Sequence, residues 1–438
     1  MGGEDEGGGD QQDLRYQQGK RADWYKDLEE ANHRRAGCAN GGKVNYTRDC
    51  GASQYQDYRD EKHLSGLSRH DAGGSAPFFG AKFGNAASST HSFGWEAEGA
   101  VEVARRRIAD LAGADAGEIV FTSGATESNN LALKGVVAAS GVARAHLVTV
   151  ATEHKAVLDS ARALEGAGCR VTILAPGADG LVDLDELREA IGPETVLVSV
   201  MYANNEIGVL QPVRRIGAIC REKNVLFHCD AVQAFGKLAV NVEADHIDLM
   251  SVSAHKMYGP KGVGALYVRR RNPRVRLTAQ IDGGGHEGGM RSGTLNVPGI
   301  VGFGEACTLA GREMAEEYGR VGALRDRLKR RLEEGLDGVR VNGSMEHRLA
   351  GNLNVSFERV DGDALLVALP DLAVSTGAAC NTHGGGGSHV LEAIGVPVEL
   401  VQSATRFGLG RFTTEEEVEY AAGRVVEAVR RLRQERPV

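Results

Sequence analysis

Short apolar segments alternate with helical segments from about residue 96 to residue 270, and this alternation restricts the fold more than any other feature of the chain. An apolar run at 196–200 is followed by a helical pattern at 213–220 and then by another apolar run that begins at Val225. Strands that alternate with helices in this way form a largely parallel sheet with helices on both faces. We therefore predict an α/β fold for this part of the chain.

The pattern changes past Gly299, where a long helical region leads to a strand at 352–357 and to further helices, the last of which begins after Thr414. A chain of 438 residues, of which 42% are hydrophobic, is long enough for about two domains. We predict a large domain over residues 77–300 and a smaller α+β domain over residues 301–438.

Residues 1–76 are polar and contain only five aliphatic branched side chains. Such a segment buries too little apolar surface to offset the entropy that is lost on ordering, so we predict that it is disordered. It lacks the apolar core of a secretory signal, and its acidic residues do not fit an organelle transit peptide. We therefore expect a cytoplasmic protein.

The charge balance argues against nucleic-acid and membrane partners. The formal net charge is −8, and the basic runs at 269–271 and 430–431 are short and isolated. We interpret these runs as solvated ends of secondary-structure elements. No apolar stretch approaches the ~20 residues that a membrane span requires. The composition therefore indicates a soluble globular chain.

Lys256 lies between a β-like run and a glycine turn, and Asp230 follows the apolar run at 225–227. Open α/β sheets bind their ligands at the carboxyl ends of the strands. A lysine held there partly out of water can react as a neutral amine with an aldehyde cofactor, and Ser253 and His255 can donate hydrogen bonds to a phosphate. The Asp230 carboxylate can keep a pyridinium nitrogen protonated, but it can also be a helix cap or a structural ion pair.

A small-residue turn supplies further candidate ligands for the same phosphate. Residues 118–121 are typical of a strand, and a helix is predicted to begin at Thr126. The unpaired N–H groups and the dipole at the start of a helix favour a phosphate there, and the Thr126 hydroxyl can add a hydrogen bond. Gly124, Ala125 and Thr126 are therefore candidate phosphate ligands, although Thr and Ser at such turns also serve simply as helix caps.

Six segments together resemble those of the cysteine desulfurases, which are pyridoxal-phosphate enzymes of aminotransferase class V and fold type I. The resemblance extends from about Pro77 to the C-terminus and implies a mostly parallel seven-stranded sheet in the large domain. The motifs that carry it are at 122–130, 152–155, 204–208, 228–233, 253–256 and 289–294.

The resemblance implies a role for each cofactor ligand. Lys256 would carry the internal aldimine of pyridoxal 5'-phosphate, Asp230 would pair with the pyridine nitrogen, and Gln233 would reach the ring hydroxyl. His154, which follows the apolar run at 147–151, would stack on the ring face and take part in catalysis. Asn205 would contact the cofactor as well. The phosphate would be held by Thr126, Ser253, His255 and, from the other subunit, Thr294, which implies a homodimer.

Arg406 lies in an otherwise apolar β-like run at 403–410. A buried guanidinium needs an anion, and its planar fork matches a carboxylate with two parallel hydrogen bonds. From the residues alone, this anion is an internal acidic side chain or a ligand. The resemblance implies that Arg406, assisted by Asn205, binds the carboxylate of the substrate L-cysteine.

Cys380 is the predicted nucleophile among seven cysteines. Four glycines at 384–387 follow it closely, and such a run leaves the chain with little conformational restraint. The other cysteines lie in apolar segments (Cys169, Cys220, Cys229, Cys307) or in the polar N-terminal stretch (Cys38, Cys50). We predict no disulfide framework and, because no cysteine pair has metal-ligand spacing, no metal site. A glycine-rich surface loop with an incidental thiol is the alternative interpretation.

The resemblance implies the conversion of L-cysteine to L-alanine with transfer of the sulfur to Cys380 as a persulfide. The sulfur would pass to an acceptor protein for iron–sulfur cluster or other thio-cofactor synthesis, and a cluster scaffold fits less well because the chain stops at 436–438 without the usual tail. The family's opening strand, with its aspartate, small residues and threonines, is also absent. Two alternatives therefore stay open: an enzyme similar to selenocysteine lyases, and a catalytically impaired binding or regulatory subunit.

Overall fold

Seven strands form the larger of two sheets in the computed structural model, which describes residues 74–376 and 387–435. The strands follow the order β1-β7-β6-β5-β4-β2-β3. Strands β2 to β6 run parallel to one another, whereas β7 is antiparallel to both of its neighbours, β1 and β6. The predicted seven-stranded, mostly parallel sheet is therefore confirmed. The strands are β1 Ile119–Thr122, β2 His146–Val150, β3 Arg170–Leu174, β4 Thr195–Ser199, β5 Leu226–Asp230, β6 Leu249–Ser253 and β7 Gly264–Val268.

Three predictions concern residues outside the described ranges. The predicted nucleophile Cys380 lies in the undescribed stretch 377–386, and Cys38 and Cys50 precede residue 74. Of the predicted disordered segment 1–76, only residues 74–76 are described.

Ten α-helices are present in the described part of the chain. Helix α10 begins where the sequence predicts, because Thr414 and Glu417 form a reciprocal capping box: the Glu417 N–H donates to Thr414 Oγ1 over 3.2 Å, and the Thr414 N–H donates to Glu417 Oε2 over 3.0 Å. The helices are α1 Ser92–Ala112, α2 Ala125–Ala139, α3 Lys155–Gly166, α4 Leu184–Ala190, α5 Val213–Glu222, α6 Val297–Gly335, α7 Gly362–Ala368, α8 His389–Ala393, α9 Val398–Gln402 and α10 Glu415–Glu435.

Helices cover both faces of the large sheet, as predicted. Successive side chains of a strand point to opposite faces, and strand β2 follows this rule. Leu147 belongs to the buried cluster that includes residues of α2 and α3, whereas the next residue, Val148, belongs to the separate buried cluster that includes residues of α1, α5 and α6. Both side chains are fully buried. This two-sided burial explains why the strands read as continuous apolar runs in the sequence.

A second, antiparallel sheet lies C-terminal to the first in the chain, with the order β10-β11-β9-β8. Its core includes Leu324 and Leu332 of α6 and Val425 of α10. Helix α6 also contributes Phe303 to the core of the large sheet, so this one helix runs past residue 300 and joins both cores. The strands are β8 Val339–Val341, β9 Asn352–Phe357, β10 Ser375–Thr376 and β11 Thr405–Gly408, and β9 coincides with the predicted strand.

The interpretation of the basic run at 269–271 as solvated is wrong for its first residue. Arg269 is only 2% exposed and pairs with Asp248 over 3.0 Å and with Glu243 over 2.5 Å. These acidic partners follow β5 along the chain and meet Arg269 only because β6 and β7 pair. Arg270 and Arg271 are exposed, as predicted.

The described cysteines are Cys169, Cys220, Cys229 and Cys307, and all four are buried, as predicted. Burial raises the pKa of the Cys169, Cys220 and Cys229 thiols. None of these three is therefore a thiolate near neutral pH. Among the helices of the described residues, none combines the length and the apolarity that a membrane span needs.

Candidate active site

A cavity of about 480 Å³ lies at the carboxyl ends of β5 and β6 and is closed on its other side by residues of the small sheet and of α6. Carboxyl ends of parallel strands at which the connections diverge are the usual ligand site of an α/β sheet. Ten of the predicted site residues line this cavity together: Gly124, Ala125, Thr126, His154, Asn205, Asp230, Gln233, His255, Lys256 and Arg406.

Lys256 is held by a tight turn at the end of β6. The turn Ala254–Lys256 is a single 3-10 turn, and the Ala254 carbonyl accepts hydrogen bonds from the N–H groups of Met257 and Gly259. Tyr258 then adopts a left-handed backbone conformation with φ of 70°, which is uncommon for a residue with a side chain. The backbone that carries Lys256 is therefore fixed, and its side chain lines the cavity.

Asp230 ends β5 and is 4% exposed. Its Oδ2 accepts a hydrogen bond from Asn129 Nδ2 over 2.7 Å, and its Oδ1 accepts one from the Val232 N–H over 3.1 Å. Burial raises the pKa of Asp230, although these hydrogen bonds and the charges of His154 and Lys256 oppose the shift. A buried carboxylate of this kind is stabilised by a cationic ligand such as a pyridinium.

The first turn of α2 can receive an anion. The residue that precedes the helix, Gly124, provides no side-chain cap, so the first N–H groups of α2 have no side-chain acceptor from that position. The turn lies directly on β7, because a Cβ at Gly264 would come 2.7 Å from the Cα of Gly124. The turn of Gly124 and the turn of Lys256 therefore border the same cavity.

Ser253 and His255 are joined by a hydrogen bond of 2.9 Å between Ser253 Oγ and His255 Nδ1. Burial and, to a lesser extent, the charges of Lys256, Lys261 and Lys237 together lower the pKa of His255 to about 4. The imidazole is therefore neutral at neutral pH and can donate one hydrogen bond to an anion. Ser253 itself is buried and is not among the residues that line the cavity.

His154 caps α3 at the end of β2, and its Nδ1 accepts the Ala156 N–H over 3.1 Å. Its ring is on the cavity side, as its position after a strand predicts. Arg406 lies on β11, where its guanidinium donates to the Asn205 carbonyl over 2.6 Å and to Ser375 Oγ over 2.7 Å. Arg406 therefore fastens the small sheet to the loop that carries Asn205.

Thr294 is exposed and does not line the cavity of its own chain. The glycine-rich segment that carries it is fixed by an ion pair of 2.8 Å between Arg291 and Glu127 of α2. Burial alone would raise the pKa of Glu127, but the hydrogen bonds from Arg291 and Ser123 outweigh it and leave the pKa lowered. The charged pair therefore ties this segment to the first turn of α2.

Sequence reasoning missed Asn129, Lys237 and Glu317. Asn129 lies one helical turn after Thr126, and this spacing is the only local signal for it. Lys237 and Glu317 both line the cavity, but they come from the turn after β5 and from the middle of α6. Their proximity depends on the packing of elements that are distant in the chain, so no local sequence pattern predicts that they meet in the cavity.

His228 lies two residues before Asp230 and bridges three strands, with its Nδ1 2.8 Å from Ser199 Oγ and its Nε2 2.9 Å from Ser251 Oγ. Burial lowers the pKa of His228 to about 3. In the unfolded chain His228 binds a proton below pH ~6.5, whereas in the folded chain it stays neutral down to a much lower pH. The stability that neutral His228 provides is therefore present at pH 7 and is lost as the pH falls. We expect acidification from pH 7 to pH 5 to cost about 2 kcal/mol through this residue.

Chemical denaturation of the wild type and of His228→Gln at both pH values checks this expectation. The variant should be less stable at pH 7, because its amide fits the two serines less well, but its loss of stability on acidification should be smaller by about 2 kcal/mol. His347→Gln, at an exposed histidine, is the matched control. An equal acid loss in the wild type and in His228→Gln would contradict the assignment.

Comparisons with known proteins identify the family of the chain. The model of the aminotransferase class-V family matches residues 75–421. A protein named cysteine desulfurase IscS from Anaeromyxobacter dehalogenans is 59% identical over 362 residues, which cover 83% of this chain and 89% of the relative. A protein of the same name from Mannheimia succiniciproducens is 57% identical over 356 residues, which cover 81% of this chain and 88% of the relative.

Two solved structures have the same fold. A NifS-like protein superposes with a TM-score of 0.78 at 36% identity over 86% of this chain and 98% of that protein. The structure titled SspA in complex with cysteine superposes with a TM-score of 0.71 at 36% identity over 81% of this chain and 100% of that protein. The chain therefore belongs to the aminotransferase class-V family and, within it, to the cysteine desulfurases.

Proposed function

We propose that this chain is a pyridoxal-phosphate-dependent cysteine desulfurase, which converts L-cysteine to L-alanine and transfers the sulfur to Cys380. The observation that carries the proposal is the meeting of Lys256 and the buried Asp230 in one cavity at the ends of neighbouring strands. An amine and a buried carboxylate so placed suit an aldehyde cofactor with a ring nitrogen. The sequence identity of 59% and 57% to two relatives named cysteine desulfurase supports the same reaction.

The residues of the cavity fit pyridoxal 5'-phosphate. The desolvated Asp230 is suited to a protonated ring nitrogen, and the uncapped start of α2 is suited to a phosphate. When bound, the cofactor would draw electrons away from the substrate Cα. We assign Lys256 to the aldehyde carbon, Asp230 to the ring nitrogen, Gln233 to the ring hydroxyl and His154 to the ring face. Asn205 is a further cofactor-binding residue, and the phosphate is assigned to Gly124, Ala125, Thr126, Ser253 and His255.

Substrate would be held by its carboxylate at Arg406, with help from Asn205. Lys256, once released, would take the Cα proton of the substrate. The Cys380 thiolate would attack the substrate sulfur, so that a sulfur–sulfur bond forms and the carbon–sulfur bond breaks; the substrate Cβ then receives a proton, and Lys256 returns a proton to Cα. Cys380 is left as a persulfide, and the carbon skeleton leaves as L-alanine.

The working unit in this proposal is a homodimer in the cytoplasm. Thr294 is exposed in its own chain and is tied to α2 through the Arg291–Glu127 pair, and this placement supports its contribution to the phosphate site of a second subunit. The persulfide sulfur would pass to an acceptor protein of iron–sulfur cluster or other thio-cofactor synthesis. The large and small domains would be residues 77–300 and 301–438.

Alanine release from L-cysteine tests the proposed function. The purified full-length chain is incubated with pyridoxal phosphate and a reducing thiol, and alanine is quantified beside a parallel reaction with L-selenocysteine. We expect alanine and sulfide in equal amounts from L-cysteine. A yellow protein that releases no alanine would show an impaired binding subunit, and turnover restricted to L-selenocysteine would assign the chain to a lyase instead.

A further inference from the structure

Lys237 places a second lysine in the cavity of Lys256. The two lysines come from the turns after β5 and β6, and these turns are in close contact. A Cβ at Gly236 would lie 2.5 Å from Cε and 2.9 Å from Cβ of Met257, the residue after Lys256. Only a glycine permits this approach, and Gly236 has the φ of 75° that favours glycine. The fold therefore holds the two lysines on adjoining backbone.

The charge of Lys237 is only partly balanced. Glu317 of α6 is the acidic group that acts on it, but the Glu317 carboxylate also accepts hydrogen bonds from Tyr258 Oη over 3.0 Å and from Arg411 Nε over 2.9 Å. Burial and, to a lesser extent, the charge of Lys256 together lower the pKa of Lys237 to about 8, against the opposing charge of Glu317. Because Glu317 is shared among these groups, the ammonium group of Lys237 repels a second cation in the cavity.

Repulsion between two ammonium groups is mutual, so Lys237 favours the neutral amine of Lys256 as much as the reverse. Asp230 opposes this effect, because its negative charge favours the ammonium form of Lys256, whereas His255 is neutral. The other titratable or charged groups that line the cavity are Glu127, His154, Tyr258, Lys261, Glu317, Tyr318 and Arg406.

We propose that Lys237 is a positioning residue whose ammonium group keeps the Lys256 amine neutral and therefore ready to attack the aldehyde of the cofactor. The inference rests on the proposed function for the identity of that aldehyde. An amine attacks a carbonyl through its lone pair, and a neighbouring cation is an established way to free that lone pair near neutral pH. Lys237 need not touch the cofactor to act in this way.

Competitive acetylation of the full-length protein, followed by mass spectrometry of the Lys256 peptide, tests this inference. The labelling of Lys256 is measured against pH in the cofactor-free protein, and the visible absorbance of the cofactor is titrated in the holoenzyme. In Lys237→Met, we expect the labelling midpoint of Lys256 to rise by about one pH unit or more. The same change should slow the capture of pyridoxal phosphate at pH 7.5 about tenfold, because one unit is a factor of ten in neutral amine.

Three variants separate charge from packing. Lys237→Arg keeps the charge and should keep the wild-type midpoint, whereas Lys237→Gln should behave like Lys237→Met and replaces it where that protein does not fold. Lys261→Met removes a cation from the exposed rim of the same cavity, where solvent screens it, and should leave the midpoint unchanged. An unmoved midpoint in Lys237→Met, or an equal shift in Lys237→Arg or Lys261→Met, would overturn the inference.

The two readouts also separate this inference from the proposed function. A shifted labelling midpoint in a protein that captures no pyridoxal phosphate would sustain the charge coupling and refute the proposed cofactor. Capture of the cofactor at Lys256, with no difference between the wild type and Lys237→Met, would support the proposed cofactor and refute the charge coupling.

Discussion

Lys256→Ala should abolish the covalent attachment of pyridoxal phosphate and lower kcat for alanine formation by at least about 10⁴-fold, the scale seen when a nucleophile central to a reaction is removed. Lys256 has two tasks in the proposed mechanism, since its amine attaches the cofactor and later takes the Cα proton. Borohydride reduction followed by peptide mass spectrometry measures the attachment, and alanine release measures the turnover.

Lys237 supplies a stringent internal check on this expectation, because it is a second lysine in the same cavity. A cavity that merely collected aldehydes on any amine would carry the reduced adduct on Lys237 when Lys256 is gone. We expect no such adduct, because Lys237 stands on the turn after β5 and the charge of Glu317 favours its ammonium form. A cofactor adduct on Lys237 with substantial alanine release in Lys256→Ala would contradict the assignment of Lys256.

The positions of Lys256 and Asp230 could be predicted from the sequence because each follows an apolar strand. Parallel strands buried on both faces read as continuous apolar runs, and the residue at the end of each run is brought to the ligand edge by the topology of the sheet. Strand β9, Asn352–Phe357, belongs to the antiparallel sheet, and its signal is instead an alternation of polar and apolar residues. Local periodicity was sufficient wherever one element alone determined the position of a side chain.

Contacts between distant elements could not be predicted in this way. Asn129 and Asp230 are 101 residues apart in the chain, yet their hydrogen bond holds the carboxylate in place. The antiparallel strand β7 lies between β1 and β6, and nothing in its apolar run specifies that direction. The burial of Arg269, at the end of β7, is unpredictable for the same reason, since its acidic partners reach it only through the sheet.

Cys380→Ala should leave the cofactor in place and yet abolish the transfer of sulfur to the protein. The cofactor ligands assigned above come from the large sheet and its turns, so the loss of one thiol at residue 380 removes none of them. The cysteines Cys169, Cys220 and Cys229 cannot replace it, because burial raises the pKa of each thiol. We expect unchanged cofactor absorbance and a fall in alanine release of at least about 10³-fold.

Both described neighbours of the stretch that contains Cys380 are attached beside the cavity, and this attachment is the structural reason to expect the effect. On one side, Ser375 accepts a hydrogen bond from Arg406, which lines the cavity. On the other side, Ser388 donates to Glu206 Oε2 over 2.5 Å, and Glu206 follows Asn205, another residue of the cavity wall. Ten residues, 377–386, separate the described segments, so Cys380 is joined to the cavity at both ends by a short length of chain.

Mass spectrometry of the protein after exposure to L-cysteine and alkylation reads the persulfide directly. The wild type should gain one sulfur atom on the Cys380 peptide, and Cys38→Ala, which removes a cysteine from the polar N-terminal stretch, should gain it equally. Cys380→Ser tests whether an oxygen nucleophile of similar size can substitute, and it should fail because a serine hydroxyl, unlike a cysteine thiol, does not ionise near neutral pH. Normal sulfur transfer by Cys380→Ala would show that another group accepts the sulfur, while Lys256 and Asp230 would keep their assignments.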